Sequence, residues 1–300
     1  MSVENIVICS RARMPSPARW QQAISEAGFP LRLPAEFDVL GSAGYVECRE
    51  GNAECGFDYF CEPLDQEWLQ DLDLALPARY DCVACLATQT SYEDAGASCA
   101  AAGALAALTG GVLLEGGEGP PITAGDALEW ARRTFTELRD LKRREEESEA
   151  LAAQLASDPE QATAVLGRTL SSLCGQRIQQ LTTLEGSPLL GVSLSNGVTA
   201  RGKRWQLDTP DAGSIVSPPS SVRRARKCAE VDAAAAYLAQ RLSGIRVRYA
   251  ELASQRDLTL WFENGARLKL QQGAPLQSWE LRTEQLSFEF VDGTLQVMPV

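Results

Sequence analysis

From Ile245 to Val297 the apolar residues recur at every second position: Ile245, Val247, Tyr249; Leu258, Leu260, Phe262; Leu268, Leu270; Trp279, Leu281; Leu286, Phe288, Phe290; Leu295, Val297. Successive side chains of a strand point to opposite faces, so a period of two gathers these residues on one face and leaves the other polar. A helix, with 3.6 residues per turn, would scatter the same set around its circumference. Asn264-Gly265 and Asp292-Gly293 separate consecutive runs and suit two-residue hairpin turns, which need positive φ. The stretch is therefore expected to fold as an antiparallel meander.

Upstream the pattern changes to strands alternating with helices. Asn5–Ser10 is a β-branched run fit for a buried strand; Ser16-Pro17 opens the amphipathic stretch Pro17–Ala27, and Gly28 closes it. Gly44–Cys48 and Gly56–Cys61 read as a hairpin across Glu50-Gly51-Asn52, Glu67–Leu76 as a helix, Tyr80–Thr88 as a central strand, Ser91–Leu108 as an Ala-rich helix and Val112–Glu115 as a short strand. Thr123 with Asp126 resembles a capping box for a helix bearing Leu128, Ala131, Phe135, Leu138 and Leu141 on one face. Asp158-Pro159 starts a further helix through Cys174, Pro188–Leu207 reads as a hairpin about Asn196-Gly197, Thr209–Ser221 as a loop, and Val222–Leu242 as a helix capped by Gly244. No repeat of a fixed period is visible. The expectation is an α+β protein: an N-terminal mixed α/β sandwich over residues 1–138, a charged helical connector over 139–157, and a helix plus antiparallel meander domain over 158–300.

Charge separates the two halves. Residues 1–150 hold 26 acidic against 12 basic residues and 151–300 hold 14 against 16, so the net negative charge belongs to the first half. Between Glu36 and Asp126 there are 17 acidic residues and only Arg49 and Arg79 to oppose them. Such a field repels itself within a compact domain and serves to attract a basic partner. Direct contact with DNA or RNA is disfavoured, because phosphates require clustered Lys and Arg.

The residues offer little catalytic chemistry. The absence of histidine removes Ser-His and Cys-His nucleophile pairs and every histidine-containing zinc site. Cys82-Val-Ala-Cys85 has the spacing of a redox or zinc pair but lies inside an expected strand; Cys48, Cys55 and Cys61 are too widely spaced to complete a four-thiolate site. Cys9, Cys82, Cys85, Cys99 and Cys174 read as small core apolars. Gly110-Gly111 is followed by no Gly-Lys-Ser/Thr and does not make a phosphate loop. Glu115 with Glu118, or Asp58 with Glu62, could pair as acid and base, but carboxylates are abundant and read as solvated surface. Trp20, Trp130 and Trp279 fall on core faces, which leaves Trp68 and Trp205 as possible interface anchors. No catalytic residue, cofactor or metal site is expected.

Four strings between Met14 and Trp130 carry a resemblance: MPSPARWQQAISEAGFPLRL, GFDYF, AALTGGVLLEGGEG and DALEWAR, the last ending just beyond Trp130. They resemble immunity proteins of bacterial polymorphic toxin and type VI secretion effector systems, over somewhat under half the chain and through scaffold residues that bring no binding residue with them. The C-terminal DLTLWFENGARLKL followed by SWELR is similar to small β-meander domains of toxin-neighbouring proteins. The first segment has the marks of neither a signal peptide nor a membrane span. A cytoplasmic antitoxin is thus expected, and a cytoplasmic toxin with a basic cleft is most simply a nuclease. The partner-binding residues expected are Glu47, Glu50, Glu54, Asp58, Glu62, Asp65, Glu67, Asp71 and Asp73, with Trp68 as an aromatic anchor. An effector chaperone that binds the toxin without inhibiting it is the alternative, and a carboxylate hydrolase the third.

Overall fold

In the computed structural model, residues 3–41, 44–71, 74, 76–88, 91–116, 119–183, 189–210, 213–217, 239–253, 257–271, 279–291 and 294–300 are described. The chain divides into two units, Met1–Arg143 and Arg144–Val300.

The first unit runs β1 (Val3–Cys9), α1 (Pro17–Glu26), β2 (Leu31–Arg32), β3 (Gly44–Glu50), β4 (Ala53–Pro63), α2 (Gln66–Asp71), β5 (Cys82–Thr88), α3 (Tyr92–Thr109), β6 (Val112–Glu115), β7 (Ile122–Thr123) and the start of α4 (Ala127–Ser157). Its sheet has the order β2-β3-β4-β5-β1-β6-β7, every pairing is antiparallel, and helices pack against it, as expected of an α+β unit. The inner face is set by alternation. Cys55, Phe57, Tyr59 and Cys61 of β4, Cys82, Ala84 and Leu86 of β5, and Val7 and Cys9 of β1 pack in one cluster with Trp20 and Ile24 of α1 and the Ala-rich α3. The Trp20 indole N–H, fully buried, donates to the Ala101 carbonyl at 2.9 Å.

Helix α3 lacks a polar stripe because it lies between the sheet, α1 and α4, and a helix enclosed on all sides is apolar all round. Its small residues permit close approach: a Cβ placed on Gly103 would lie 2.5 Å from Ala131 Cβ and 2.9 Å from the Ala127 carbonyl oxygen. Ser91 caps the helix by accepting from Asp94 N, and Gly110, at φ 66°, ends it.

The second unit continues with α5 (Pro159–Ser172), β8 (Ile178–Thr183), β9 (Leu190–Leu194), β10 (Thr199–Gly202), β11 (Arg204–Thr209) and β12 (Gly213–Val216). After a helical turn at 239–242 come β13 (Val247–Ala253), β14 (Asp257–Phe262), β15 (Arg267–Gln271), β16 (Trp279–Arg282), β17 (Leu286–Val291) and β18 (Thr294–Pro299). These strands build two antiparallel sheets around one core, in the orders β18-β17-β16-β10-β9-β8 and β12-β11-β15-β14-β13.

The two halves of this unit repeat one another. Gly175 and Gly244 both have positive φ, and they make reciprocal bonds: Gly175 N donates to Val247 O at 2.7 Å and Gly244 N to Ile178 O at 2.9 Å. Arg177 and Arg246 face each other in an isolated bridge. Leu194 N donates to Val198 O as Phe262 N donates to Ala266 O, and Asn196 and Asn264 each accept from the backbone N–H two residues on. Trp205 pairs with Leu270 in one sheet while Trp279 pairs with Gly202 in the other. The unit is a pseudo-twofold duplication in which each half completes the other's sheet.

Other departures have local causes. In both Asn-Gly turns the glycine is at positive φ and its N–H bonds the carbonyl three residues before it, so the asparagine and the residue ahead of it form the centre of the turn and the glycine follows as a bulge, in place of the two-residue turn expected. Asp292-Gly293 lies outside the described residues, as does most of the helix expected over Val222–Leu242. Helix α4 begins at Ala127 behind Asp126, and the Thr123 hydroxyl bonds the Asp126 carboxylate at 2.6 Å instead of capping the helix. The stretch expected as a solvated connector contributes Ala152 and Leu155 to the second core and buries Ser148, which bonds the Gln285 carbonyl. β12 occupies part of the expected loop and covers β11. Cys174, expected in the core, is exposed where α5 has ended, and Trp205 is 1% exposed and belongs to the core. Among the described residues no helix is long and apolar enough to cross a membrane.

Candidate functional site

The face of the first sheet that α1 and α3 leave uncovered carries the acidic residues. In β3, Val46 and Cys48 turn inward, so Tyr45, Glu47 and Arg49 turn outward; in β4, Glu54, Asp58, Phe60 and Glu62 do the same. Register then sets the neighbours. Tyr45 pairs with Asp58, Asp58 with Ala87, and Ala87 with Glu4, forming one row; Phe60, Cys85, Ile6 and Leu114 form the next, and Glu62, Val83, Ile8 and Val112 the third.

Helix α2 covers one side of this face. Leu69 is buried with Ile6, Ile8, Tyr80 and Leu114, and Leu64, Trp68 and Leu76 pack around them. The remainder is open: Tyr45 is 58% exposed and Phe60 37%. The Tyr45 ring lies across Gly56, where a Cβ would stand 2.6 Å from its hydroxyl, so the glycine is what lets the ring lie flat on β4. Beyond the end of β5, Asp94 of α3 accepts from Gly56 N at 2.8 Å and holds this part of the hairpin. Between β4 and α2 the face sinks into a cleft of about 310 Å³, lined by Ile6, Phe60, Glu62, Asp65, Trp68 and Val83 among others.

Among the described residues, the outward strand positions present Glu4, Glu47, Glu54, Asp58 and Glu62 against Arg49, which approaches Glu54 at 3.9 Å between two exposed groups. An ion pair of that kind contributes little, and the field of the face stays negative. Its effect is felt by Cys85, whose thiol is pushed up to about 11, first by burial and then by Glu4 and Glu62.

Of the residues expected to bind a partner, Glu47, Glu54, Asp58 and Glu62 come together on this face, with Asp65 and Trp68 at the cleft and Glu67 exposed on α2. Glu50 does not join them. It approaches Arg139 of α4 at 3.8 Å. Asp71 ends α2, and Asp73 lies outside the described residues. Tyr45, Phe60 and Glu4 were missed. Period two through the hairpin places Tyr45 and Phe60 beside the acids, whereas Glu4 joins them only through the pairing of β1 with β5.

The buried thiols of this unit are held protonated. Cys9 and Cys82 are buried cross-strand partners with their sulfurs 3.6 Å apart, and Cys48 opposes Cys55. Burial, ahead of neighbouring charges, raises Cys48 and takes Cys55 to about 11; burial likewise takes Cys99 to about 12. A thiol so shifted is protonated near neutrality and a poor nucleophile. Among the described residues no group of three or more Cys, Asp or Glu is placed to hold a metal ion.

No family model and no curated protein matches the chain.

Proposed function

We propose that the protein works by binding, not catalysis, and that the outward face of its first sheet receives a basic protein partner. The observation that supports this is the gathering, among the described residues of the sheet's outward strand positions, of five carboxylates with one arginine around exposed Tyr45 and Phe60. Charge of one sign on a face speeds encounter with its opposite, and exposed aromatics supply the short-range contact that makes an encounter last. Together with the sequence resemblance, this leads to an immunity protein that neutralises a cognate toxin in the cytoplasm. A nuclease suits the face best, since a cleft built for phosphate accepts carboxylates.

The test is capture of the neighbouring gene's product by the tagged protein, followed by a nuclease assay of the complex at low and moderate salt. Stoichiometric capture with nuclease activity lost is expected. Reversing Glu47, Glu54 and Asp58 to Lys should slow association most at low salt, where screening is weakest. Capture with full activity would move the reading to an effector chaperone; unchanged affinity after the three reversals would end it.

A further inference from the structure

Within the outward face, the cleft between β4 and α2 differs from the acidic surface around it. Its floor is Ile6 and Val83, diagonal neighbours on β1 and β5, its walls are Phe60 and Trp68, and its charged lining groups are Glu62 and Asp65. The volume of about 310 Å³ is at the lower end for a small-ligand pocket and suits one long side chain better than a folded segment. The occupant must bring an apolar stem for the floor and a positive end for the two carboxylates. A purely apolar side chain would strip water from Glu62 and Asp65 and return nothing to them.

We infer that this cleft is the anchor point for a single arginine of the basic partner, its guanidinium stacked against Phe60 and Trp68 and bonded to Glu62 and Asp65. Arginine fits better than lysine. Its guanidinium is flat, weakly hydrated and able to engage carboxylates through two parallel bonds, whereas an ammonium is compact and strongly hydrated. Aromatic walls add attraction to a cation at their faces. The inference rests on the reading of the face as a docking surface for a basic protein, and it names the residue type on which specificity turns.

Titration of the ¹⁵N-labelled full chain with the peptide Ac-Gly-Arg-Gly-NH₂, and with its Lys and citrulline counterparts, tests it directly. Citrulline keeps the shape of arginine and removes the charge. The arginine peptide should move the Trp68 indole N–H and the Val83 and Cys85 amides saturably; the citrulline peptide should bind about 5-fold more weakly, as should the arginine peptide to a Glu62→Gln/Asp65→Asn variant. Equal binding of the arginine and citrulline peptides, or shifts that bypass Trp68, overturns the inference. Capture of the neighbouring gene's product separates the two claims. If reversal of Glu47, Glu54 and Asp58 abolishes capture while Glu62→Gln/Asp65→Asn leaves it untouched, the cleft falls and the docking face stands. If neither variant weakens capture, both fall, and if both do, both are supported.

Discussion

Gly103→Ala sets two effects of similar size against each other. In a helix interior, alanine is favoured over glycine by about 1 kcal/mol, so propensity alone predicts a more stable protein. The new methyl, however, would lie 2.5 Å from Ala131 Cβ and 2.9 Å from the Ala127 carbonyl oxygen. Carbon atoms rest about 3.5–4.0 Å apart, so α4 would have to retreat from α3 by about 1 Å. Ala127 and Ala131 are fully buried and Trp130 and Phe135 nearly so, and overfilling a packed core costs roughly 1–3 kcal/mol. The expected net result lies between no gain and a loss of about 2 kcal/mol, or a fall in Tm of up to roughly 8 °C for a unit of this size. Gly167→Ala is the matched control. It sits in α5 with nothing within 4 Å of the added methyl and should gain about 0.5–1 kcal/mol. Urea titration read by hydrogen exchange at α3 and α5 amides follows the two units separately. If Gly103→Ala gains as much as Gly167→Ala, the account of α3 as a closely packed helix is wrong.

Gly175→Ala and Gly244→Ala should each cost about 1 kcal/mol by equilibrium unfolding, because both glycines hold positive φ in equivalent places. The Asp208 carboxyl is lowered to about 2, first by Gln206 and then by Arg267 and Ser214. Its contribution is therefore present above about pH 4, the unfolded value, and lost as pH falls through about 2. Asp208→Asn should be less stable than the parent at pH 7, by no more than about 1 kcal/mol for so accessible a pair, and the difference should vanish in strong acid. Iodoacetamide should modify Cys174 in the native protein while Cys9, Cys48, Cys55, Cys61, Cys82 and Cys99 react only after unfolding, as peptide mapping by mass spectrometry would show.

Elements with strong periodicity or clear punctuation were legible in the sequence. Ser16-Pro17 does start α1, with Ser16 accepting from Arg19 N, and Gly110 does stop α3. The alternation after Ile245 does mark strands, but alternation says only which side chains share a face, not which sheet a strand joins. The chain therefore divides its expected single meander between two sheets, β13 to β15 in one and β16 to β18 in the other. The duplication is hidden in the sequence because its spacing drifts: 69 residues separate Gly175 from Gly244, 68 separate Gly197 from Gly265, and 74 separate Trp205 from Trp279. What is conserved between the halves is backbone bonding, for which a few glycines and asparagines suffice. The acidic cluster was legible as composition. Which acids share a surface was not, because Glu50 is an outlier by one step of alternation and Glu4 arrives from a strand distant in sequence.

The duplicated unit also constrains how the chain can be made. Strands β8, β9 and β10 leave the ribosome early, yet the neighbour that closes the open side of β10 is β16, and the partner of β11 opposite β12 is β15. Neither half can finish a sheet alone. Contacts of such long sequence separation slow folding and leave unpaired strand edges exposed meanwhile. During synthesis the first half waits with the edge of β10 open, at risk of pairing with another nascent copy. The reciprocal bonds between Gly175, Ile178, Gly244 and Val247 lie at the first point where the second half meets the first. That junction is where intramolecular closure can outrun exchange of halves between chains.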